Sequence, residues 1–302
     1  MFFVEIPVNL TDQRKGWRNG MIEECKNAIK DFKEGLKRSR PNDYEKLASI
    51  KDEKAFEAAV DLAYGDAKRT MTGIGKHEKE KNAAITEIRD ELRKYFFEEK
   101  APEKEEDFDK KHSDLCAIWC RHFSGSDLGT YGKAQKIINM SFKYLLCCED
   151  SSEYQDYFKY CHMPLDSFTL EWFKRNVPDG KKLIAGKKLV AGKMSTWSRM
   201  ENHEDDEYTG KNGKKYYSYQ FYVKNIRKYI KGHNSELSPL ELEFIEWPKI
   251  QLALSAEGFL FGLKEKEELG QQEKNEIIGL SLDEKYRQIY EILKDRGYDI
   301  PR

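Results

Sequence analysis

Long apolar runs are missing from this chain of 302 residues, and proline is sparse, with eight residues. No apolar segment approaches the ~20 residues that a membrane-spanning helix needs, so the sequence predicts no membrane partner. The six cysteines, two of them adjacent as Cys147 and Cys148, form no disulfide framework. The apolar N-terminus has no basic stretch before it and carries Glu5, unlike a secretory signal. These absences predict a reduced, intracellular protein located in the cytoplasm.

An excess of charge of either sign is also missing. The chain has 53 basic and 54 acidic residues and a net charge of -1, so attraction to nucleic acid or lipid must come from local clusters. Charged residues make up 35% of the sequence, but aromatic residues make up 13%, which argues against extended disorder. The length allows a real hydrophobic core, as one large domain or two modest ones.

Apolar residues repeat every three or four positions along most of the chain, which predicts helices. Thr11 caps the first helix and Pro41 ends it. Further helices are predicted at 43–70, either continuous or broken in the middle, at 85–96 and at 108–123. The others are predicted from 133, from 167, at 216–230, from 239 and from 281. A strand is predicted only at 2–6, and a hairpin or loop at 181–192. The predicted fold class is mostly α, a multi-helix globular protein, as two helical lobes with a cleft or as one body, with at most a small β element.

A charged connection, "EEKAPEKEEDFDKK", interrupts the helical pattern and contains Pro102 as a breaker. We place a domain boundary there. The sequence therefore predicts an N-terminal helical region at 1–105 and a second helical region, which carries a basic patch, at 106–302.

Two charged residues stand at the starts of predicted helices. Lys133 opens the apolar-periodic segment "GKAQKIINMSFKYLL", and Asp166 follows a proline in "CHMPLDSFTLEWF". An amine at a helix N-terminus faces the positive end of the macrodipole, which lowers its pKa and makes it a better nucleophile. A carboxylate at a helix start is stabilised there, and Asp166 or Ser167 also fits a plain N-cap. Taken singly, each charged residue fits a structural role.

Together the two segments resemble the helix-hairpin-helix DNA glycosylase superfamily, most nearly its 8-oxoguanine branch, over residues 126–173. In that family a Gly-rich hairpin leads into a helix with a lysine at its start, and a Pro-x-Asp segment opens a following helix. Here "LGTYGKAQKIIN" matches the hairpin and "MPLDSFTLEW" the aspartate segment. Aligning the glycines shifts the lysine by one residue, so Lys136 is a rival to Lys133.

The resemblance implies base-excision chemistry. Lys133, or alternatively Lys136, corresponds to the lysine that attacks the sugar and holds it as a Schiff base. Asp166 corresponds to the aspartate that assists it and stabilises the sugar cation, which a fixed carboxylate does electrostatically. The target base is flipped into a pocket, for which Trp172 and Trp197 are the candidate lining residues. The partner implied is duplex DNA.

Basic residues cluster late in the chain. Residues 210–232 contain seven basic residues and no acid: Lys211, Lys214, Lys215, Lys224, Arg227, Lys228 and Lys231. The last four have the spacing of one helix face, and residues 174–193 add seven more against one acid. Such a patch predicts a polyanion partner, and tyrosines at 216, 217, 219 and 222 are candidates for base stacking. A solvated lysine face whose tyrosines belong to the core fits the same pattern.

Metal and cofactor motifs are weak or absent. His112, Cys116 and Cys120 recur every four residues, but packing in the core explains them better than a zinc site, because no CxxC pair lies nearby. The phosphate-loop pattern Gly-x4-Gly-Lys-Ser/Thr is also absent. We therefore predict no metal and no cofactor.

Three functional hypotheses follow. The first is a helical protein that acts on nucleic acid like a DNA glycosylase with lyase activity, using Lys133 and Asp166. The second is a non-enzymatic helical protein that binds nucleic acid or an acidic protein, in which the two residues form a cap or a salt bridge. The third is a defence or stress component whose glycosylase-like core only recognises nucleic acid.

Overall fold

The computed structural model of the chain describes the backbone of residues 10–178, 197–233 and 236–265. Side chains are described for residues 23–178, 197–233 and 236–254. The predicted strand at 2–6, the repeat at 181–192 and the helix after Ser281 lie outside the described residues. None of the helices in the described ranges has both the length and the apolar character needed to cross a bilayer.

The described chain is mostly helical, as predicted. Its α-helices are α1 (Leu10–Ser39), α2 (Pro41–Lys46), α3 (Glu53–Ala67), α4 (Glu78–Phe97), α5 (Glu105–His122), α6 (Tyr131–Leu145), α7 (Gln155–Phe158), α8 (Ser167–Asn176), α9 (Tyr219–Gly232) and α10 (Pro239–Glu265). Short 3-10 turns lie at Lys68–Thr70, Ile74–Lys76, Ser151–Tyr154 and Trp197–Arg199. Two strands, β1 (Glu207–Thr209) and β2 (Lys215–Tyr217), pair antiparallel.

Local sequence explains several of these boundaries. Pro41 takes the first turn of α2, where its missing N–H costs nothing, and so separates α2 from α1. Asp52 caps α3 by accepting a hydrogen bond from the backbone N–H of Lys54. The helix predicted from residue 216 was wrong at its start, because Tyr216 and Tyr217 belong to β2. The left-handed backbone of Gly213 forms the hairpin turn that places them there.

Helix α6 lies at the centre of the core. All 15 of its residues are buried, and it packs against α3, α5 and the turn at Trp197–Arg199. Alanines of α3, including Ala59 and Ala63, are fully buried and allow close packing of α3 and α6. Aromatic rings fill the space beside α6: Phe142 contacts Tyr95, Phe96, Phe108 and Phe158. The central position of α6 determines which of its polar side chains meet other elements.

A buried ion pair joins α6 to α10. The Lys143 amine lies 2.5 Å from the Glu243 carboxylate, and both side chains are almost fully buried. The same amine lies 4.4 Å from the ring centre of Phe32 and 4.6 Å from that of Phe244. Aromatic faces and a carboxylate together compensate the ammonium for its lost hydration.

Contacts divide the chain into two compact units, one at 1–244 and one at 245–302. Residues on both sides of the boundary that the sequence predicts near residue 105 belong to the first unit, in which α4 packs on α5. The division into regions 1–105 and 106–302 stays a prediction, which limited proteolysis would test.

Candidate functional site

Lys133 lies at the start of α6 but does not contact Asp166. Its amine donates to the backbone carbonyl of Asp127 at 2.6 Å and to that of Ser198 at 3.3 Å. Burial lowers the pKa of the Lys133 amine, which is the direction that its helix position predicts. Both contacts are to backbone oxygens, so the structure gives Lys133 a bridging position between two loops.

Lys136, the alternative lysine, is the residue that meets Asp166. Its amine donates to Asp166 Oδ2 at 2.7 Å, and the two side chains are only 8% and 11% exposed. The neighbouring Gln135 side chain fixes the approach, because it both accepts from the N–H of Leu165 and donates to its carbonyl. An amine and an acid thus converge as proposed from sequence, but through the lysine one turn further along α6.

Asp166 is also the N-cap of α8. Its Oδ1 accepts hydrogen bonds from the backbone N–H groups of Phe168 and Thr169, at 2.9 and 3.0 Å. Thr169 completes a capping box, since its hydroxyl oxygen accepts a hydrogen bond from the Asp166 backbone N–H at 2.7 Å. Oδ1 therefore accepts the hydrogen bonds that cap α8, and Oδ2 accepts the hydrogen bond from Lys136, so both carboxylate oxygens of Asp166 have partners.

Two glycines of the predicted hairpin are explained by close packing of backbone. A Cβ on Gly132 would lie 1.8 Å from the Trp197 carbonyl oxygen, and one on Gly129 would lie 2.4 Å from that of Phe123. The Gly132 N–H donates to the Met200 carbonyl at 2.8 Å. The N-terminus of α6 is therefore covered by backbone of residues 197–200, which we call the covering turn.

The two tryptophans predicted to line a base pocket lie in different settings. Trp172, in α8, is 1% exposed and packs edge-on against the ring of Tyr229. Trp197 is half-buried and begins the covering turn. The structure thus places Trp172 in the core of the first unit, because its position on α8 faces α9.

A buried polar network, which sequence reasoning missed, lies beside α6. His112 of α5 contacts the Tyr131 hydroxyl at 3.1 Å and Asn139 Oδ1 at 2.9 Å. Asn139 donates to the Tyr219 hydroxyl at 3.0 Å, which lies 3.0 Å from His162 Nδ1. The sequence did not reveal these contacts, because His112 lies among the polar residues Lys111, Ser113 and Asp114 and is distant from His162 along the chain.

The network reaches the surface through an ion pair. His162 Nε2 lies 2.7 Å from Asp109, and Arg227 donates to both oxygens of Asp109 at 2.7 and 2.8 Å. Burial alone would raise the pKa of Asp109, but the hydrogen bonds from His162 and Arg227 outweigh burial and hold it well below its usual range. Burial lowers the pKa of both His112 and His162, so both rings are neutral. Each ring nitrogen already has a partner, which assigns the network a structural role.

Arg227 was predicted to contact phosphates, and the structure differs. It is buried because its helix position faces Asp109 and Glu105 of α5. Its neighbours Lys224, Lys228 and Lys231 are exposed and border a cleft of 380 Å³ between α5 and α9. Lys214 and Lys215 are exposed on the hairpin. We call Lys224, Lys228 and Lys231 the basic face of α9.

Acidic residues accompany part of this basic surface. Lys224 lies 3.5 Å from Asp206, and Lys231 lies 2.9 Å from Glu105. Both pairs involve lysines that are about 70% exposed, where an ion pair contributes little to stability. Lys228 has no ion-pair partner within 197–233 or the other described ranges.

Within the described ranges, no cluster of three His, Cys, Asp or Glu side chains is arranged to hold a metal ion. Burial raises the pKa of the Cys120 thiol to about 11 and that of Cys116 well above its usual value, which opposes the thiolate that metal binding or nucleophilic attack needs. His112 uses both ring nitrogens within the network. These three residues therefore belong to the packing of α5.

Comparison of the chain with protein-family models, with curated proteins and with solved structures found no significant match.

Proposed function

We propose that this protein is a non-enzymatic, helical nucleic-acid-binding protein, and that the basic face of α9 contacts the phosphates. The observation that carries the proposal is the anchoring of α9 by Arg227. The bidentate pair of Arg227 with Asp109 fixes the rotation of the helix about its axis. That rotation leaves Lys224, Lys228 and Lys231 exposed on one side.

The lysines of the basic face are suited to exchange their partners. Exposed ion pairs such as Lys224 with Asp206 are worth about 0–1 kcal/mol, so a phosphate competes with the carboxylate at small cost. Lys228 stands between the two paired lysines and adds a charge to the same row. Phosphate contacts from lysines give affinity without reading sequence, which fits a binding role.

The buried amine and acid support a structural role more than a chemical one. A nucleophilic lysine must lose its proton and reach the sugar carbon. The Lys136 amine is instead bonded to Asp166 at 2.7 Å, and Asp166 also holds the start of α8. Attack by Lys136 would require this buried ion pair to separate.

The test is a binding titration of the full chain with a fluorescently labelled 20-base-pair duplex at low salt, read by anisotropy. The variant Lys224→Glu/Lys228→Glu/Lys231→Glu is expected to bind at least tenfold more weakly. The matched control, Lys30→Glu/Lys54→Glu/Lys79→Glu, changes net charge equally at exposed positions of α1, α3 and α4. Absence of binding by the unaltered chain, or equal weakening in the control, would refute the proposal.

A second candidate is base-excision activity of the DNA glycosylase type, which the contact of Lys136 with Asp166 favours. In this case Lys136, and not Lys133, is the attacking amine. Borohydride trapping on duplexes that carry damaged bases tests it. An adduct that persists in Lys133→Gln but disappears in Lys136→Gln and in Asp166→Asn, with circular dichroism unchanged, would support the second candidate. If no adduct forms on any substrate, base-excision activity is refuted and the nucleic-acid-binding role remains the proposed function.

A further inference from the structure

The β1–β2 hairpin has two different faces. Its register pairs Glu207 with Tyr217 and Tyr208 with Tyr216. Tyr217 is buried and stacks on Phe221 of α9, with ring centres 4.1 Å apart and planes 18° from parallel. Because side chains alternate along a strand, Tyr208 and Tyr216 lie on the opposite, outer face.

The outer face carries a row of three aromatic rings. The His203 ring stacks on that of Tyr208, with ring centres 4.8 Å apart and planes 13° from parallel. Tyr208 in turn lies 5.7 Å from Tyr216, at 32°. His203 is exposed and the two tyrosines are half-buried. We call these three residues the aromatic row. Of the tyrosines that the sequence indicated as candidates for base stacking, those at 217, 219 and 222 are buried, and only Tyr216 belongs to the aromatic row.

Contacts at the turn hold the row in place. The Asn212 amide donates to the Tyr216 hydroxyl at 2.7 Å. The Tyr216 ring lies over Gly210, where a Cβ would approach ring carbon Cε2 to 2.8 Å. A ring that is already fixed loses little conformational entropy when a ligand stacks on it.

Positive charge lies at the end of the hairpin next to the row. Lys211 and Lys214 belong to the turn and are exposed. Lys215 lies 3.8 Å from Glu207, so the charge of that pair is balanced. The lysines lie at the turn end of the row, and the exposed acids Glu204, Asp205 and Asp206 follow His203 at its other end. A ligand that alternates flat apolar groups with negative charges therefore meets the lysines at the turn end.

We infer that the aromatic row and the turn lysines form a binding surface for single-stranded nucleic acid. Bases stack on the row, and phosphates contact Lys211 and Lys214. The inference rests on the proposed function and deepens it, because it selects single strands over duplexes. In a duplex each base face is covered by the next base pair, whereas a single strand offers its bases to aromatic side chains.

The first experiment needs no variant. The full chain is titrated at low salt with three labelled probes: a single-stranded 12-mer of deoxythymidine, a 12-base-pair duplex, and a 12-mer of abasic residues with the same phosphates. We expect the thymidine strand to bind at least tenfold more tightly than the abasic strand. Equal affinity for these two strands would overturn the inference, because the abasic strand has nothing to stack.

The second experiment removes the rings and keeps apolar cover. Tyr208→Leu/Tyr216→Leu is expected to lower the affinity for the thymidine strand about tenfold, the loss of roughly one stacked base, and to leave duplex binding unchanged. The control is Tyr44→Leu, a half-buried tyrosine of α2. Circular dichroism checks that both variants fold.

The outcomes separate the two proposals. Equal binding of duplex and single strand, unchanged in the double leucine variant, overturns the inference and leaves the basic face of α9 as the binding surface. An equal loss of duplex and single-strand binding in that variant also overturns it. No binding of any probe by the unaltered chain overturns the proposed function and the inference with it.

Discussion

At the scale of single residues, a close approach of backbone explains Gly132. Its Cβ position is occupied by the carbonyl oxygen of Trp197, and the contact is to backbone that cannot rotate away. This contact could not be predicted from the sequence, because the covering turn is distant along the chain. The glycine is needed by the fold whatever the protein binds.

Gly132→Ala is expected to destabilise the protein by about 3 kcal/mol, the upper range for overpacking, because the methyl group would displace the covering turn. The control is Gly35→Ala in α1, where no atom lies within 4 Å of the added carbon. That change is expected to be neutral or to stabilise by about 0.5–1 kcal/mol, since alanine favours helix. Urea denaturation measures both. Equal effects would contradict the close approach.

The Lys136–Asp166 ion pair is expected to contribute to the stability of the folded protein because both groups are buried and in contact. Lys136→Met leaves a buried carboxylate without its cation and is expected to cost about 3–5 kcal/mol. In the double variant Lys136→Met/Asp166→Asn the uncompensated charge is gone, so the loss is smaller than the sum of the single losses, with a coupling of about 0.5–3 kcal/mol. Free energies of unfolding for the four proteins test this. Additive losses would mean that the pair is not formed.

The buried histidines make stability depend on pH. His112 and His162 have lowered pKa values because of burial, so the folded state keeps them neutral while the unfolded chain binds protons below about pH 6.5. Stability is therefore full above that pH and falls as the pH decreases. Asp109, with its depressed pKa, loses its contribution only at lower pH, below about 4.

Between pH 7 and pH 5 we expect the free energy of unfolding to fall by up to about 1.4 kcal/mol per pH unit for each buried histidine. His112→Gln should reduce the slope of the free energy of unfolding against pH by the contribution of one histidine, because glutamine takes up no proton on unfolding. Asn27→Gln, at an exposed position of α1, is the control; it changes no titratable group and should keep the slope. Thermal and urea unfolding across this range measure it, and a slope unchanged by His112→Gln would contradict the assignment.

At the scale of elements, local signals predicted most helices. The start of α10 at Pro239, the break between α1 and α2 at Pro41, and the cap of α8 at Asp166 were all readable from the sequence. The hairpin was missed, because strands of three residues carry little periodicity. The partner of Asp166 remained undecided between Lys133 and Lys136, because the rotation of α6 depends on tertiary packing with α3 and α5.

Helix α6 is expected to be the most protected element in hydrogen exchange. Its residues are buried all round, so its amides should exchange only when the whole first unit unfolds. Helix α2, which has no buried residue, provides the comparison and should exchange through local opening. Exchange measured by mass spectrometry distinguishes them. Equally fast exchange of α6 and α2 would contradict the central position of α6.

At the scale of the whole molecule, the net charge of -1 means that attraction to nucleic acid is local. Sequence predicted a basic helix face but not which of its members is buried, because the burial of Arg227 depends on the position of Asp109. The remaining exposed lysines set the expected number of phosphate contacts on a duplex at three.

Binding to a duplex is therefore expected to weaken with salt at a modest slope. Three phosphate contacts correspond to about -2.7 in a plot of log K against log salt concentration, at about -0.9 per contact. In the triple glutamate variant of the basic face the slope should approach zero. Anisotropy titrations between low and physiological salt give both slopes. A slope that the variant leaves unchanged would locate the contacts elsewhere.

The pair between Lys143 and Glu243 has a consequence for how the protein is made. During translation Lys143 leaves the ribosome well before Glu243, and residues 197–200 also emerge after α6 has been synthesised. The Lys143 ammonium of α6 therefore has no counter-ion until Glu243 has been synthesised. Likewise, the N–H of Gly132 in the first turn of α6 has no acceptor until Met200 has been synthesised. We expect nascent chains that end before residue 243 to remain incompletely folded and to depend on chaperones until synthesis passes that point.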